Sequence, residues 1–318
     1  MPKYSPEKDI PDLAGKVILV TGGTAGLGAQ TVQSFAAHNP SRIFFTGRSS
    51  SRADTLTSDL KIKYPNVPIN FLEIDLASLA TVKTGVQTFL STFPPDAKPR
   101  LDILICNAGV MALPPGLTND GYEIQFGTNH VGHALLVKLL LPTLLSTAAL
   151  PNADVRVIFV ASLAFSGHPR GGIVFEDLKT KQDTFLLGTG AWQRYGQSKL
   201  ANILYAAEMA RRYGDKGITS VSIHPGTFNT GLITSLGLAN RAMIWITNAG
   251  NVKDEAKEGE GSWNSCWAAT SKTDGIVNGG FYVPVGVKGK KLRENANETL
   301  AGQLWEWTEK ELESWALN

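Results

Sequence analysis

Along the chain, short and nearly continuous apolar runs alternate with longer segments whose apolar residues recur at helical spacing. The apolar runs are Lys16 to Thr21, Arg42 to Thr46, Ile69 to Ile74, Leu101 to Cys106, Val155 to Val160, Ile218 to Ile223 and Phe281 to Val283. Runs of this kind predict strands buried on both faces of a parallel sheet. The helical patterns between them pass through Leu27, Thr31 and Phe35, follow Asp75 to about Phe93, cover Asp120 to Leu145, centre on Tyr195 as far as Tyr213, and run from Glu255 to Thr270. The alternation has no linker, internal repeat or low-complexity tract. It predicts a single α/β domain, a doubly wound parallel sheet of about seven strands with helices on both faces. Residues 1–14 read as an N-terminal arm and 286–318 as a Trp-rich C-terminal extension.

Composition narrows the function classes. With 318 residues and 43% hydrophobic side chains, the chain can bury one large core. A net charge of +2 leaves no nucleic-acid surface, and the densest basic cluster, Lys288 to Arg293, reads as a solvated loop. Cys106 and Cys266 are the only cysteines, so no disulfide framework is implied and a reducing, cytoplasmic setting is expected. The N-terminus has no apolar leader, and no uninterrupted apolar run approaches a membrane span, so no transmembrane segment is expected. The N-E-T sequon at Asn297 reads as chance.

Candidate chemistry sits where the strands end. Strand, glycine turn and helix around Gly22 to Gly28 make a phosphate cradle: Gly22 for the sharp turn, Gly26 for close approach to a pyrophosphate, Gly28 for helix packing. The second strand ends at Gly47-Arg48, where an acid would grip a ribose 2′-hydroxyl. Glycine followed by arginine instead leaves room for a 2′-phosphate and offers it a guanidinium, which favours NADP over NAD. Asp75, before Leu76, either accepts from an adenine amino group or caps the helix that follows. The fourth strand stops at Asn107-Ala108-Gly109, and the fifth at Ser162. Asn129 is unfavourable in mid-helix, which hints at a task such as opening the helix to hold a water. Its neighbours His130 and His133 lack acidic or cysteine partners at ligand spacing and read as structural; no metal is expected. Residues 163–191 form an irregular insertion. Tyr195 and Lys199 share one helix face, where an ammonium can stabilise a phenolate and lower the tyrosine pKa. After Pro225-Gly226, residues 227–250 carry the bulk of Met243, Ile244, Trp245 and Ile246 and read as a lid over an apolar substrate, with membrane or partner docking as the competing reading.

T-G-G-T-A-G-L-G at Thr21, N-A-G at Asn107, Asn129, Ser162, Y-G-Q-S-K at Tyr195 and P-G-T-F-N-T at Pro225 together resemble the short-chain dehydrogenase/reductase family. The resemblance spans about residues 15 to 285 and is closest to the single-domain members with a Rossmann sheet. N-H-V-G-H and Y-G-Q-S-K-L-A-N, with the long Ser162 to Tyr195 insertion, are similar to the retinol dehydrogenase-like branch.

The resemblance implies roles. Tyr195 would exchange a proton with the substrate oxygen, and Lys199 would lower the tyrosine pKa and hold the nicotinamide ribose. Ser162 would polarise the carbonyl, and Asn129 would fix a water joining Lys199 to solvent. Gly22, Thr24, Ala25, Gly26, Leu27, Gly28, Arg48, Asp75, Leu76, Asn107, Ala108, Gly109, Pro225, Gly226, Phe228 and Thr230 would line the cofactor with Tyr195 and Lys199. Ala25 departs from the basic residue that NADP-using relatives often carry, so the NADP expectation rests mainly on Arg48. The expected activity is NADP(H)-dependent interconversion of a ketone or aldehyde and its alcohol on a fairly apolar small molecule, by a monomer or homodimer. The alternative is a non-catalytic NADP(H)-binding sensor or docking protein; a less favoured one is an epimerase or enoyl reductase on the same fold.

Overall fold

Side-chain alternation decides where each strand residue goes. Val17, Leu19, Leu104, Cys106, Val157 and Phe159 face one side of the sheet; Ile18, Val20, Ile103, Ile105, Ile158 and Val160 face the other, and all are buried. Two buried faces require helices on both.

The computed structural model describes residues 4–185, 189–228, 234, 237, 252 and 260–317. Its elements in order are α1 (Pro6–Asp9), β1 (Val17–Val20), α2 (Gly26–Ala36), β2 (Arg42–Gly47), α3 (Ser50–Lys63), β3 (Ile69–Glu73), α4 (Leu79–Ser91) and β4 (Ile103–Cys106). After β4 come α5 (Ile124–Phe126), a π-helical turn (Gly127–Val131), α6 (Gly132–Ala148), β5 (Val155–Val160), α7 (Gly190–Tyr213) and β6 (Ile218–Ile223). The chain closes with α8 (Trp263–Thr270), β7 (Phe281–Val283), β8 (Val287–Lys288) and α9 (Glu298–Glu311). Among the described residues the sheet order is β3-β2-β1-β4-β5-β6-β7-β8. Neighbours pair in parallel except β7 with β8, which is antiparallel. The order reverses between β1 and β4, and the crevice beyond their carboxyl ends is where open α/β sheets bind ligands.

The structure departs from the sequence reading in several places. An eighth strand, β8, hangs on the sheet edge. Helix α3 has only Ala53 and Leu60 buried, too sparse an apolar stripe to show in the sequence pattern. The helix expected from Asp120 begins at Ile124, because residues before it form a turn closed by the Leu117–Glu123 bridge. The helical stretch Ile124–Ala148 is long and apolar enough to cross a membrane by length and composition, with mean hydropathy 1.5. Two-thirds of that window is buried inside the protein, so its apolarity serves the core. Asn297 N-caps α9, its Oδ1 accepting from Leu300 N at 3.0 Å.

A helix on the surface of a sheet ordinarily buries one apolar stripe, and α7 does not stop there. Every residue from Arg194 to Ala206 is buried, because α9 lies over the face that would otherwise meet water. Tyr205 of α7 stacks on Trp305 of α9, centroids 4.6 Å apart and planes 15° from parallel.

Candidate active site

The glycine turn is built as an anion cradle. Gly22 and Gly26 hold φ of +65° and +54°, conformations that favour glycine. A Cβ on Gly28 would stand 2.2 Å from the Gly22 carbonyl oxygen and 2.6 Å from Asn107 Nδ2, so only glycine lets α2 start this close to β1 and β4. Ala25, at the N-cap, is extended and supplies no side-chain cap, and the first turn holds no acid. The opening amides of an eleven-residue helix thus point into the crevice with the positive end of its dipole, which fits a cofactor pyrophosphate. Leu27 and Phe228 meet at Gly261, where a Cβ would lie 2.1 Å from Leu27 Cδ2 and 3.4 Å from Phe228 Cδ2.

Around the rim, Arg48 follows β2 directly and is exposed. Gly47 does not leave open space as expected, since Thr24 Cγ2 lies 2.6 Å from where its Cβ would be. The missing side chain brings the glycine turn against β2. Asp75 Oδ1 accepts from Ala77 N at 3.0 Å, capping a turn, while α4 takes its cap from elsewhere, Leu79 N donating to Asp120 Oδ2 at 2.8 Å. Next to it, Leu76 packs its side chain into the core. Asn107 donates through Nδ2 to the Thr21 carbonyl at 2.8 Å, and Ala108 and Gly109 carry the backbone past the crevice floor. Pro225 is buried and Gly226 adopts φ +107° under the Phe228 ring. Thr230 lies outside the described residues, as does most of the expected lid, including Met243 to Ile246.

Beyond the crevice, Tyr195, Lys199, Ser162 and Asn129 come together. Tyr195 is 6% exposed, with the Ser162 hydroxyl as a hydrogen-bond partner. Ser162 also caps the turn after β5 by accepting from Ala164 N at 3.2 Å. Lys199 Nζ donates to the Val160 carbonyl at 2.8 Å and stands 5.7 Å from the Tyr195 ring centroid. The sequence reading had the lysine pulling the phenol down. Burial instead pushes Tyr195 up to about 12, opposed by the Ser162 hydrogen bond, and pushes Lys199 down to about 8. Neither charge is well solvated, so both equilibria shift towards the neutral form, while Lys199 remains an ammonium below about pH 8.

Asn129 falls in the π-helical turn, fully buried. Its Oδ1 accepts from Val110 N at 2.8 Å, and its Nδ2 donates to the Val110 carbonyl and to Ser198 Oγ, each at 2.9 Å. The Cβ position of Gly109 is 3.0 Å from Asn129 Oδ1 and 3.4 Å from Lys199 Nζ, which places the two groups around one point.

The face of Tyr195 is apolar. Met111, Ala112, Ala164, Ala191, Trp192 and Val252 gather there, with Trp192 edge-on to the tyrosine at 6.1 Å. Arg194, one residue before Tyr195, holds the walls: it donates to the Leu113 carbonyl at 2.9 Å and the Gln182 carbonyl at 3.1 Å. Both loops carry a non-glycine residue in the left-handed region, Ala112 at φ +50° and Gln182 at +49°. Glu123 Oε1 pairs with Arg194 Nε at 3.3 Å, both side chains buried. Burial raises Glu123 to about 7 against the pull of the guanidinium and of two backbone amides, those of Gln125 and Phe126.

Ser198, Val110, Thr21 and Arg194 were missed in the sequence reading. Ser198 lies between Tyr195 and Lys199 in Y-G-Q-S-K, a position from which it could have been found. Val110 acts through its backbone, which no side-chain pattern reveals.

The chain matches the family model for the short chain dehydrogenases over residues 16–174. It is 37% identical to a short-chain dehydrogenase/reductase of Armillaria gallica, covering 97% of this chain and 93% of that protein. With an uncharacterized oxidoreductase of Schizosaccharomyces pombe it shares 34% identity over 95% and 86% of the two chains. A crystal structure of an uncharacterized protein from Mycobacterium paratuberculosis superimposes with a TM-score of 0.72, at 25% identity and 98% coverage of both chains. The chain therefore belongs to the short-chain dehydrogenase/reductase family of nicotinamide-dependent oxidoreductases.

Proposed function

We propose that the protein is an NADP(H)-dependent oxidoreductase interconverting a ketone or aldehyde with its alcohol on a fairly apolar small molecule, nearest to the retinol dehydrogenase-like branch. The observation that carries this is the Tyr195 hydroxyl, hydrogen-bonded by Ser162, opening onto the apolar wall of Met111, Ala112, Ala164, Trp192 and Val252, with the Lys199 ammonium behind it. An apolar wall with one convergent polar pair suits a carbonyl on a hydrophobic body.

Gly22, Gly26, Leu27, Gly28 and the opening amides of α2 would hold the pyrophosphate, Arg48 the 2′-phosphate, and Asn107 and Lys199 the nicotinamide half. When bound, NADPH supplies a hydride to the carbonyl carbon, and NADP accepts one from the alcohol. Tyr195 Oη gives its proton to the carbonyl oxygen in reduction and takes it back in oxidation; with a phenol near 12, the protonated form is at hand throughout the neutral range. Ser162 Oγ donates to the same oxygen and steadies the developing charge. Lys199 returns a proton towards Tyr195, and Asn129, clamped by Val110 and Ser198, keeps the path behind Lys199 open.

Tyr195→Phe tests the reading. Ring packing survives while the proton donor is lost, so cofactor binding should hold and turnover should fall by about 10²- to 10⁴-fold, the range of general acid-base catalysis. Turnover near the parent rate would overturn it.

A further inference from the structure

Both histidines of N-H-V-G-H are buried, His130 within the π-helical turn and His133 just after it in α6, and the mechanism uses neither. His130 is accounted for by packing: its Nε2 meets Thr308 Oγ1 of α9 at 3.0 Å and its ring stands edge-on to Tyr205 at 5.1 Å. His133 has two contacts of another kind. Its Nδ1 is 2.9 Å from the Asn129 carbonyl oxygen, and its Nε2 is 2.8 Å from Thr21 Oγ1, at the mouth of the glycine turn.

The direction of each bond follows from valence. A carbonyl only accepts, so Nδ1 carries the proton. The Thr21 hydroxyl accepts the amides of Asn107 at 2.8 Å and Ala108 at 3.0 Å, which uses both its lone pairs. Its own hydrogen must therefore be donated, and Nε2 at 2.8 Å is the nearer acceptor. The Ile105 carbonyl, at 3.3 Å from Thr21 Oγ1, already accepts the Thr21 amide. The result is one ordered chain: Asn107 and Ala108 amides to Thr21 Oγ, Thr21 O–H to His133 Nε2, His133 Nδ1–H to the Asn129 carbonyl. A second ring proton would find no lone pair left on Thr21. Burial and the Lys199 ammonium add to this, holding His133 down to about 4.

We propose that His133 is a positioning residue, locked as the Nδ1–H tautomer, that couples the glycine turn and the Asn107–Ala108 turn to the backbone of Asn129. The crevice floor and the proton path are thereby held in one register across β1, β4 and the π-helical turn. This rests on the reading of Asn129 as part of the proton path, and it deepens that reading.

The intact protein labelled with ¹⁵N-histidine gives the first test, His133 being assigned by difference from His133→Asn. Long-range ¹H–¹⁵N spectra should show His133 as the Nδ1–H tautomer and still mainly neutral at about pH 5, in line with its depressed pKa. An Nε2–H tautomer, or titration near the ordinary histidine value, would overturn the proposal whatever Tyr195→Phe does. Kinetics give the second test. His133→Asn keeps a donor near the Nδ1 position but loses Thr21, so the cofactor KM should rise about 5-fold or more, the equivalent of one hydrogen bond, with kcat changed less. Thr21→Val should show the same split. His133→Phe, which loses both bonds, should lower kcat as well. Equal effects on KM and kcat in His133→Asn and Thr21→Val would leave His133 a packing residue.

Discussion

Lys199 Nζ stands 5.7 Å from the centre of the Tyr195 ring, one helical turn away, and donates at 2.8 Å to the carbonyl of Val160 at the end of β5. The helix sets the first relationship and the sheet the second, so the ammonium is positioned by two elements at once. Burial holds it near 8, within reach of experiment.

Because the folded pKa of Lys199 is depressed, its charge is present below about pH 8 and lost as pH rises through that value. Carbonyl reduction should therefore fall along the alkaline limb of a pH–rate profile near 8. Lys199→Arg keeps its charge to much higher pH and should move that limb upward by at least about one unit, with a lower plateau because the guanidinium fits the site less well. A limb that stays near 8 in the variant belongs to another group.

Cofactor choice is read at Arg48. Arg48→Ala should weaken NADPH binding by about 1.5–3 kcal/mol, the range for hydrogen bonds to a charged group, and leave NADH almost unchanged. Titration of both cofactors by fluorescence checks it; equal losses remove Arg48 from the role.

Two glycine substitutions should act in opposite directions. Gly28→Ala places a methyl 2.2 Å from the Gly22 carbonyl, so the cradle must open, and both cofactor affinity and thermal stability should drop. Gly302→Ala, inside α9 with nothing within 4 Å of the new carbon, should stabilise the protein by about 0.5–1 kcal/mol through helix propensity. Calorimetry of the two variants compares them directly.

Arg194→Met would strand the Glu123 carboxylate in the interior and release the Leu113 and Gln182 carbonyls. Urea unfolding should show a loss of about 3–5 kcal/mol, as for other broken buried pairs. Adding Glu123→Gln removes the stranded charge while keeping an acceptor for the Gln125 and Phe126 amides, and should recover part of that loss.

By itself the sequence determined the parallel sheet, the glycine turn and the helical spacing of Tyr195 and Lys199, because strand burial and helix geometry act over a few residues and leave their period in the chain. It also carried the hint at Asn129, since an asparagine in an apolar helix has a local cost that can be seen without neighbours. What only the tertiary structure decided depends on groups far apart in the chain. The path from Thr21 through His133 to Asn129 spans more than a hundred residues, and the Val110 clamp is made by backbone atoms that every residue possesses. The burial of α7 under α9, the filling of the Gly47 notch by Thr24 and the upward shift of Tyr195 likewise follow from what packs against each group, and burial is a property of the folded chain that no single position encodes.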